Sequence, residues 1–293
     1  MLTFSEITTR TPSPQTLSAW QKLKLLTCGV TIPRPKNSSS PNDLKLPFDT
    51  IHFASDDGMN LEGWLLAPPE PKGTVLLFHG YAASRSSLLD EGQAFYKMGY
   101  ATALIDFRGS GGSDGSVTTL GFHESLDVAA AVRHVRSRGL PGPLILCGQS
   151  MGGAAILRSI AVLDVKPDAV ILESVFGRML GAVRNRFGLM GLPSFPGSEM
   201  LVFWGGVQMG FSGFGHNPED YTRTCNCPAL VLHGAADRHA RPEEGKAIYD
   251  NLAGEKEMAV VESAGHTSLY ATASEQWKMA VERFLTTYPN GKQ

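Results

Sequence analysis

The chain has 293 residues, 26 basic and 28 acidic side chains, a formal charge of −2 and 42% hydrophobic residues. That near balance gives no electrostatic footprint for nucleic acid or an anionic surface, and the hydrophobic content is that of a globular domain large enough to cover a central sheet. Four cysteines in a chain of this length do not make a disulfide framework, so a reducing cytoplasmic setting is expected, and Cys225-x-Cys227 lacks further ligands at zinc spacing.

Residues 1–45 read as an N-terminal arm. The Pro, Ser and Asn content from Thr11 to Asp43 favours extended chain, broken by one helix-like stretch around Leu17 to Leu26. Leu25-Leu26-Thr27-Cys28 has the outline of a lipoprotein cleavage site, but Gln21, Lys22 and Lys24 interrupt the apolar core that a signal peptide needs, and no membrane span is expected there. Strands are expected at 48–53 and 59–67, joined as an edge hairpin through the Asp56-Asp57-Gly58 turn. A third, Thr74 to Phe78, is a continuous apolar run of the kind that lies buried in a parallel sheet, and it ends in His79-Gly80-Tyr81. A helix at 86–98 leads to a strand at 101–106 and the turn Asp106-Phe107-Arg108-Gly109-Ser110-Gly111-Gly112-Ser113, and a further helix is expected at 121–138.

The next strand, Leu144 to Cys147, runs into Gly148-Gln149-Ser150-Met151-Gly152 and a helix over 151–162. A Gly-x-Ser-x-Gly between a buried strand and a helix is a nucleophile elbow: the turn is so sharp that the residues two before and two after the serine must nearly lack side chains, and the hydroxyl stands clear of the chain. The helix also directs its N-terminal amides and positive dipole end at the site. Serine at its free pKa is a weak nucleophile and needs a base, which in turn needs an acid to orient it.

After the strand Ala169 to Leu172, which ends in Glu173, the pattern changes. Residues 174–221 are rich in Gly, Phe and Met, with Phe176, Met179, Leu180, Val183 and Phe187 at helical spacing, and read as a cap or lid over the site, its apolar side lining an acyl pocket. The alternative is a long connection packed on the core. Strand 229–233 runs into Gly234-Ala235-Ala236-Asp237, which places a carboxylate at a strand end, a helix follows at 243–252, and strand 257–261 is followed by a loop carrying His266. The expected acid and base are therefore Asp237 and His266, in the chain order Ser, Asp, His. His216, His233 and His239 also follow the serine and suit structural roles better; Glu173 is a competing acid, otherwise a partner for an arginine such as Arg178. The oxyanion donors are expected to be the backbone amides of Tyr81 and Met151, with Gly80 allowing close backbone approach and His79 bracing the loop. A last helix is expected at 269–287.

Together these segments resemble the α/β-hydrolase superfamily over about residues 50 to 290. The double glycine Gly152-Gly153 and the opening Asp56-Asp57-Gly58-Met59-Asn60-Leu61-Glu62-Gly63-Trp64 are most similar to the serine-hydrolase branch that holds esterases, acyl-peptidases and thioesterases. The resemblance implies a mostly parallel eight-stranded α/β sheet with helices on both faces, a core of 46–173 and 222–293, and a small cap at 174–221. It also implies that Asp106 and Arg108 are structural. The function expected is hydrolysis of carboxylic esters of short to medium acyl chains through an acyl-enzyme, on a small-molecule substrate and without cofactor or metal. The rivals are a serine peptidase or thioesterase on the same triad, and a ligand-binding protein with a nearly silent site.

Overall fold

The computed structural model describes residues 2–6 and 29–288; the helix expected around 17–26 and the Leu25 to Cys28 segment lie outside them. In chain order the elements begin with β1 (Leu2–Ser5), β2 (Val30–Pro33), β3 (Asp49–Ala54), β4 (Asn60–Leu66), β5 (Thr74–Phe78), α1 (Leu89–Lys97), β6 (Ala101–Ile105), β7 (Val117–Thr118) and α2 (Glu124–Ser137). They continue with β8 (Leu144–Gln149), α3 (Met151–Leu163), β9 (Ala169–Glu173), α4 (Met179–Leu189), α5 (Gly197–Met209) and α6 (Pro218–Tyr221). The last are β10 (Ala229–Gly234), α7 (Pro242–Asn251), β11 (Lys256–Val261), α8 (Leu269–Thr272) and α9 (Ser274–Thr287).

Eight of the strands form one sheet in the order β11-β10-β9-β8-β5-β6-β4-β3. It is parallel from β11 to β6, while β4 and β3 run antiparallel at one edge as the expected hairpin. Strands β5, β6 and β9 are buried along their whole length, which is why they read as continuous apolar runs rather than alternating ones. One face is covered by α2 and α3 through Val128, Val132, Ile156 and Leu157, the other by α1 and α9 through Phe95, Trp277, Val281 and Phe284. Strand order reverses between β8 and β5, so the carboxyl ends of these two strands open the crevice in which open α/β sheets place their sites.

The described parts of the arm, residues 2–6 and 29–45, are joined to the fold rather than simply extended beside it. Strand β1 pairs parallel with β2 and antiparallel with β7, making a second, three-stranded sheet. Phe4 is buried, and its amide donates to Ser116 O at 2.6 Å. Farther along, the Gly111 amide donates to Pro35 O, the Arg34 guanidinium to Gly115 O, and Asn37 Nδ2 to an Asp106 carboxylate oxygen at 2.9 Å. The glycine-rich turn after β6 has backbone groups to satisfy, and the arm supplies the partners.

The turn itself is structural. Asp106 is fully buried and accepts from the amides of Arg85 and Gly112 at 2.7 and 2.9 Å, and Gly111, at φ 49°, lies against its carboxylate where no side chain would fit. Arg108 is held by Asp127 and Asp57, each at 2.6 Å. The segment expected as one helix at 269–287 is two, α8 and α9, turned at Ala273 with φ −148°.

Candidate active site

Ser150 sits at the carboxyl end of β8 with φ 47° and ψ −109°, outside the helical region that its successors adopt. Its amide is pinned to Glu173 O at 2.7 Å on the neighbouring strand, and its carbonyl accepts the Ala154 amide as α3 begins. A Cβ on Gly148 would lie 2.6 Å from the Gly152 carbonyl carbon, one on Gly152 would run into the Phe78 carbonyl, and one on Gly153 into the Val175 side chain. The strained φ of a non-glycine residue thus persists because the surrounding backbone leaves no alternative.

His266 enters from the loop after β11. Its Nε2 lies 3.1 Å from Ser150 Oγ, and its Nδ1 lies 2.7 Å from Asp237 Oδ2. Asp237 is buried in the turn after β10, and its other oxygen accepts the amides of His239 and Ala240 at 2.8 and 3.0 Å. Burial alone would raise this carboxyl, but the hydrogen bond and charge of His266 and the two amides outweigh it and hold Asp237 below the usual aspartate value. An ionised Asp237 accepts from Nδ1–H, which leaves Nε2 as the basic nitrogen facing the serine.

Gly80 and Tyr81 follow β5 beside the elbow. Ser150, Met151 and Tyr81 line one small cleft together with His266, and the Tyr81 and Met151 amides donate to no backbone acceptor among the described residues. The close approach expected at Gly80 is absent within the protein, since a Cβ there would meet Gln149 O and Ser150 Cβ at ordinary distances of 3.7 and 3.8 Å. His79 is buried and braces the loop: Nδ1–H donates to Gly80 O at 2.8 Å while Nε2 accepts the Phe107 amide at 3.2 Å, and burial lowers its basicity.

The other histidines lie away from the serine hydroxyl. His233 donates through Nε2 to Ala240 O, and His216 donates to Leu120 O and faces the Tyr221 hydroxyl, with burial pulling it down to about 4. His239 lies ring to ring with His266 at 5.1 Å. The competing acid Glu173 does not reach His266. It is buried, accepts from Trp277 Nε1 at 2.5 Å and from Gln149 at 3.4 Å, and burial with Glu91 nearby raises it to about 8. Arg178, the partner expected for it, lies exposed just before α4 and pairs with Glu219 instead at 2.5 Å.

Around Ser150 the site divides. An apolar cavity of about 240 Å³ is walled by α4, α5 and the loop before α2, with Met179, Val183, Phe187, Leu201 and Val202 among its lining residues. Leu2 and Val30 of the arm also line this cavity, a placement that could not be anticipated from the sequence because β1 is tied to the fold through β2 and the two-residue strand β7. On the other side of Ser150 lies a polar chamber of about 230 Å³, lined by Gln149, Glu173, Ser174, Thr267 and Ser268. Tyr81 and Arg186 border both spaces and the cleft between them.

The fold, with its reversal at β8 and β5 and the elbow at the end of β8, is that of an α/β-hydrolase. The family model described as serine aminopeptidase, S33, matches residues 69–179. Among relatives, the chain is 24% identical over 237 residues to YqkD of Bacillus subtilis, covering 78% of this chain and 76% of that one. It is 28% identical over 191 residues to the lysophosphatidylserine lipase ABHD12 of Danio rerio, covering 63% of this chain and 48% of the lipase. Among solved structures, the Pyrococcus furiosus esterase Pf2001 superposes with a TM-score of 0.74 at 24% identity, over 88% of this chain and 97% of the esterase. No helix among the described residues is long and apolar enough to cross a membrane.

Proposed function

We propose that this chain is a serine hydrolase that cleaves carboxylic esters of short to medium acyl chains through an acyl-enzyme. The observation that carries the reading is the continuous chain of hydrogen-bond contacts from Ser150 through His266 to the buried Asp237. Ser150 Oγ attacks the acyl carbon as His266 Nε2 takes its proton, and the Tyr81 and Met151 amides receive the oxyanion. Collapse of the tetrahedral intermediate breaks the bond to the alcohol oxygen, which leaves with the proton from His266. Water, deprotonated by His266, then releases the acid and restores the serine. Asp237 holds the imidazole in the productive tautomer and stabilises the imidazolium. Loss of one oxyanion donor in such a site typically costs about 2.7–4 kcal/mol of barrier. The cap at 174–221 supplies the acyl wall, and Leu2 and Val30 of the arm line its far side. The esterase and lipase named among the similar proteins favour esters. The three described cysteines are free, which suits the cytoplasm in this reading.

A second reading, a peptidase on the same residues, draws on the aminopeptidase description of the matching family model. Nitrophenyl esters and aminoacyl anilides assayed in parallel separate the two, and anilide turnover without ester turnover would reverse the choice. The hydrolase reading itself is tested by intact-protein mass after treatment with a fluorophosphonate. One adduct on the parent chain, lost in Ser150→Ala and His266→Ala, is expected. No adduct on the parent would leave a ligand-binding protein as the better account.

A further inference from the structure

The polar chamber beside Ser150 contains two groups that the protein leaves unmatched. Arg186 lies in the last turn of α4, on the helical phase of Met179, Val183 and Phe187, and so faces inward with them. It forms no ion pair with any carboxylate among the described residues, and its guanidinium lies over the Tyr81 ring at 5.1 Å. Its neighbour Arg184 points outward and is matched by Glu199 at 2.5 Å. A half-buried guanidinium that borders a cavity and has no carboxylate partner is available to an anionic group there.

Ser174 is the second group. It follows β9 at φ 48°, is only 6% exposed, and its hydroxyl is buried without a hydrogen-bond partner while lining the same chamber. A left-handed serine with an unused hydroxyl is strained and unsatisfied at once, a combination that clusters at ligand sites.

From these residues we infer that the polar chamber is an anion subsite, in which Arg186 and Ser174 hold a phosphate or carboxylate on the alcohol portion of an ester whose acyl chain occupies the apolar cavity. The carboxylates nearest the chamber do not oppose this. Glu173 is neutral over most of the physiological range, and Glu91, itself raised by burial, is occupied by Ser268 Oγ at 2.6 Å and by Gln149. The substrate class is thereby narrowed from neutral esters to single-chain anionic amphiphiles. The inference rests on the ester-hydrolase reading only for the orientation of the ester, not for the existence of the subsite.

Binding to the full chain carrying Ser150→Ala tests it without requiring turnover. The probes, titrated by calorimetry below their micelle concentrations, are 1-octanoylglycerol, 1-octanoylglycerol 3-phosphate and the octanoyl ester of glycolate. At least one charged probe is expected to bind about 10- to 100-fold more tightly than the neutral glyceride, the range of one charge-assisted contact. Preference for the phosphate or for the carboxylate identifies the source of the anion. Adding Arg186→Gln should bring the charged-to-neutral ratio close to one, Arg186→Lys should restore part of it, and Ser174→Ala should lower it about two- to fivefold. Equal affinity for charged and neutral probes, a preference that survives Arg186→Gln, or binding of none of the three overturns the subsite. Failure of fluorophosphonate labelling on the parent chain would overturn the hydrolase reading separately.

Discussion

A single methyl group tests the turn at Ser150. Gly152→Ala would drive its Cβ into the Phe78 carbonyl, a backbone atom that cannot step aside, so the elbow must open. Fluorophosphonate labelling is expected to slow by more than about 100-fold, the loss that follows a misplacement of about 1 Å in a catalytic geometry. The same substitution at Gly188, a helical residue with nothing within 4 Å of a Cβ, should leave labelling intact and raise stability by up to about 1 kcal/mol. Labelling of Gly152→Ala at the parental rate would show that the glycine is not required by this packing. Glu173 gives a residue-scale prediction of another kind. Burial, with Glu91 close by, raises it to about 8, so between the ordinary glutamate value and that point the folded chain keeps a proton that the unfolded chain releases. Stability must therefore fall as pH rises through this window and level off above it. Glu173→Gln, which still offers an oxygen to Trp277, should flatten the decline by on the order of 2 kcal/mol. Denaturant midpoints at pH 5, 7 and 9 measure it, and identical slopes for the two proteins would refute the assignment.

At the scale of elements, legibility followed burial. The central strands of the main sheet could be read because they are short apolar runs ending in turn residues, the β3–β4 hairpin because of its Asp-Asp-Gly turn, and β8 with its glycines carried the position of the serine. That Asp237 and His266 would meet beside Ser150 was legible because each follows a parallel strand that ends on the same edge of the sheet as β8. The arm was not, because β1 and β2 are four-residue strands that pair with each other, and β7, the other partner of β1, has only two residues and lies far downstream. The break at Ala273 was hidden by good helix formers on both sides. Arg186 was missed although a signal existed: it is an arginine at the helical phase of the apolar Met179, Val183 and Phe187. Helix α5 has apolar residues on both sides, with Leu201 and Val202 toward the cavity and Phe203, Trp204 and Val207 outward, so its orientation could not be read from periodicity. Its inner face yields a prediction. Leu201→Trp fills part of the cavity and should cut kcat/KM for decanoyl esters about 10-fold or more relative to butanoyl esters, given that a hydrophobic pocket discriminates by about 1–3 kcal/mol per methylene. An unchanged chain-length profile would place the acyl group elsewhere.

For the whole molecule, the site is assembled from three parts of the chain that are remote in sequence. The core supplies Ser150, Asp237 and His266; the segment 174–221 supplies Arg186 and the wall of the apolar cavity; the arm supplies Leu2 and Val30. Phe4 links the arm to the core, since its ring packs on the Gly109 turn, where a Cβ would come within 2.8 Å of it, and lies 6.4 Å from the Tyr81 ring. Tyr81 in turn carries the proposed oxyanion amide and borders every part of the site. Truncating Phe4 therefore acts on two quantities at once. Phe4→Ala should lower global stability by about 3 kcal/mol, as removal of a buried phenyl ring does. It should also loosen the loop after β5 and the far wall of the apolar cavity, so that decanoyl esters lose more kcat/KM than acetyl esters even at temperatures where the variant is fully folded. Thermal unfolding and an ester chain-length series on the same preparation measure both. If stability falls while the chain-length profile stays that of the parent, the arm is a brace for the turn after β6 and no part of the substrate site. If both change together, the arm belongs to the site as much as the segment 174–221 does.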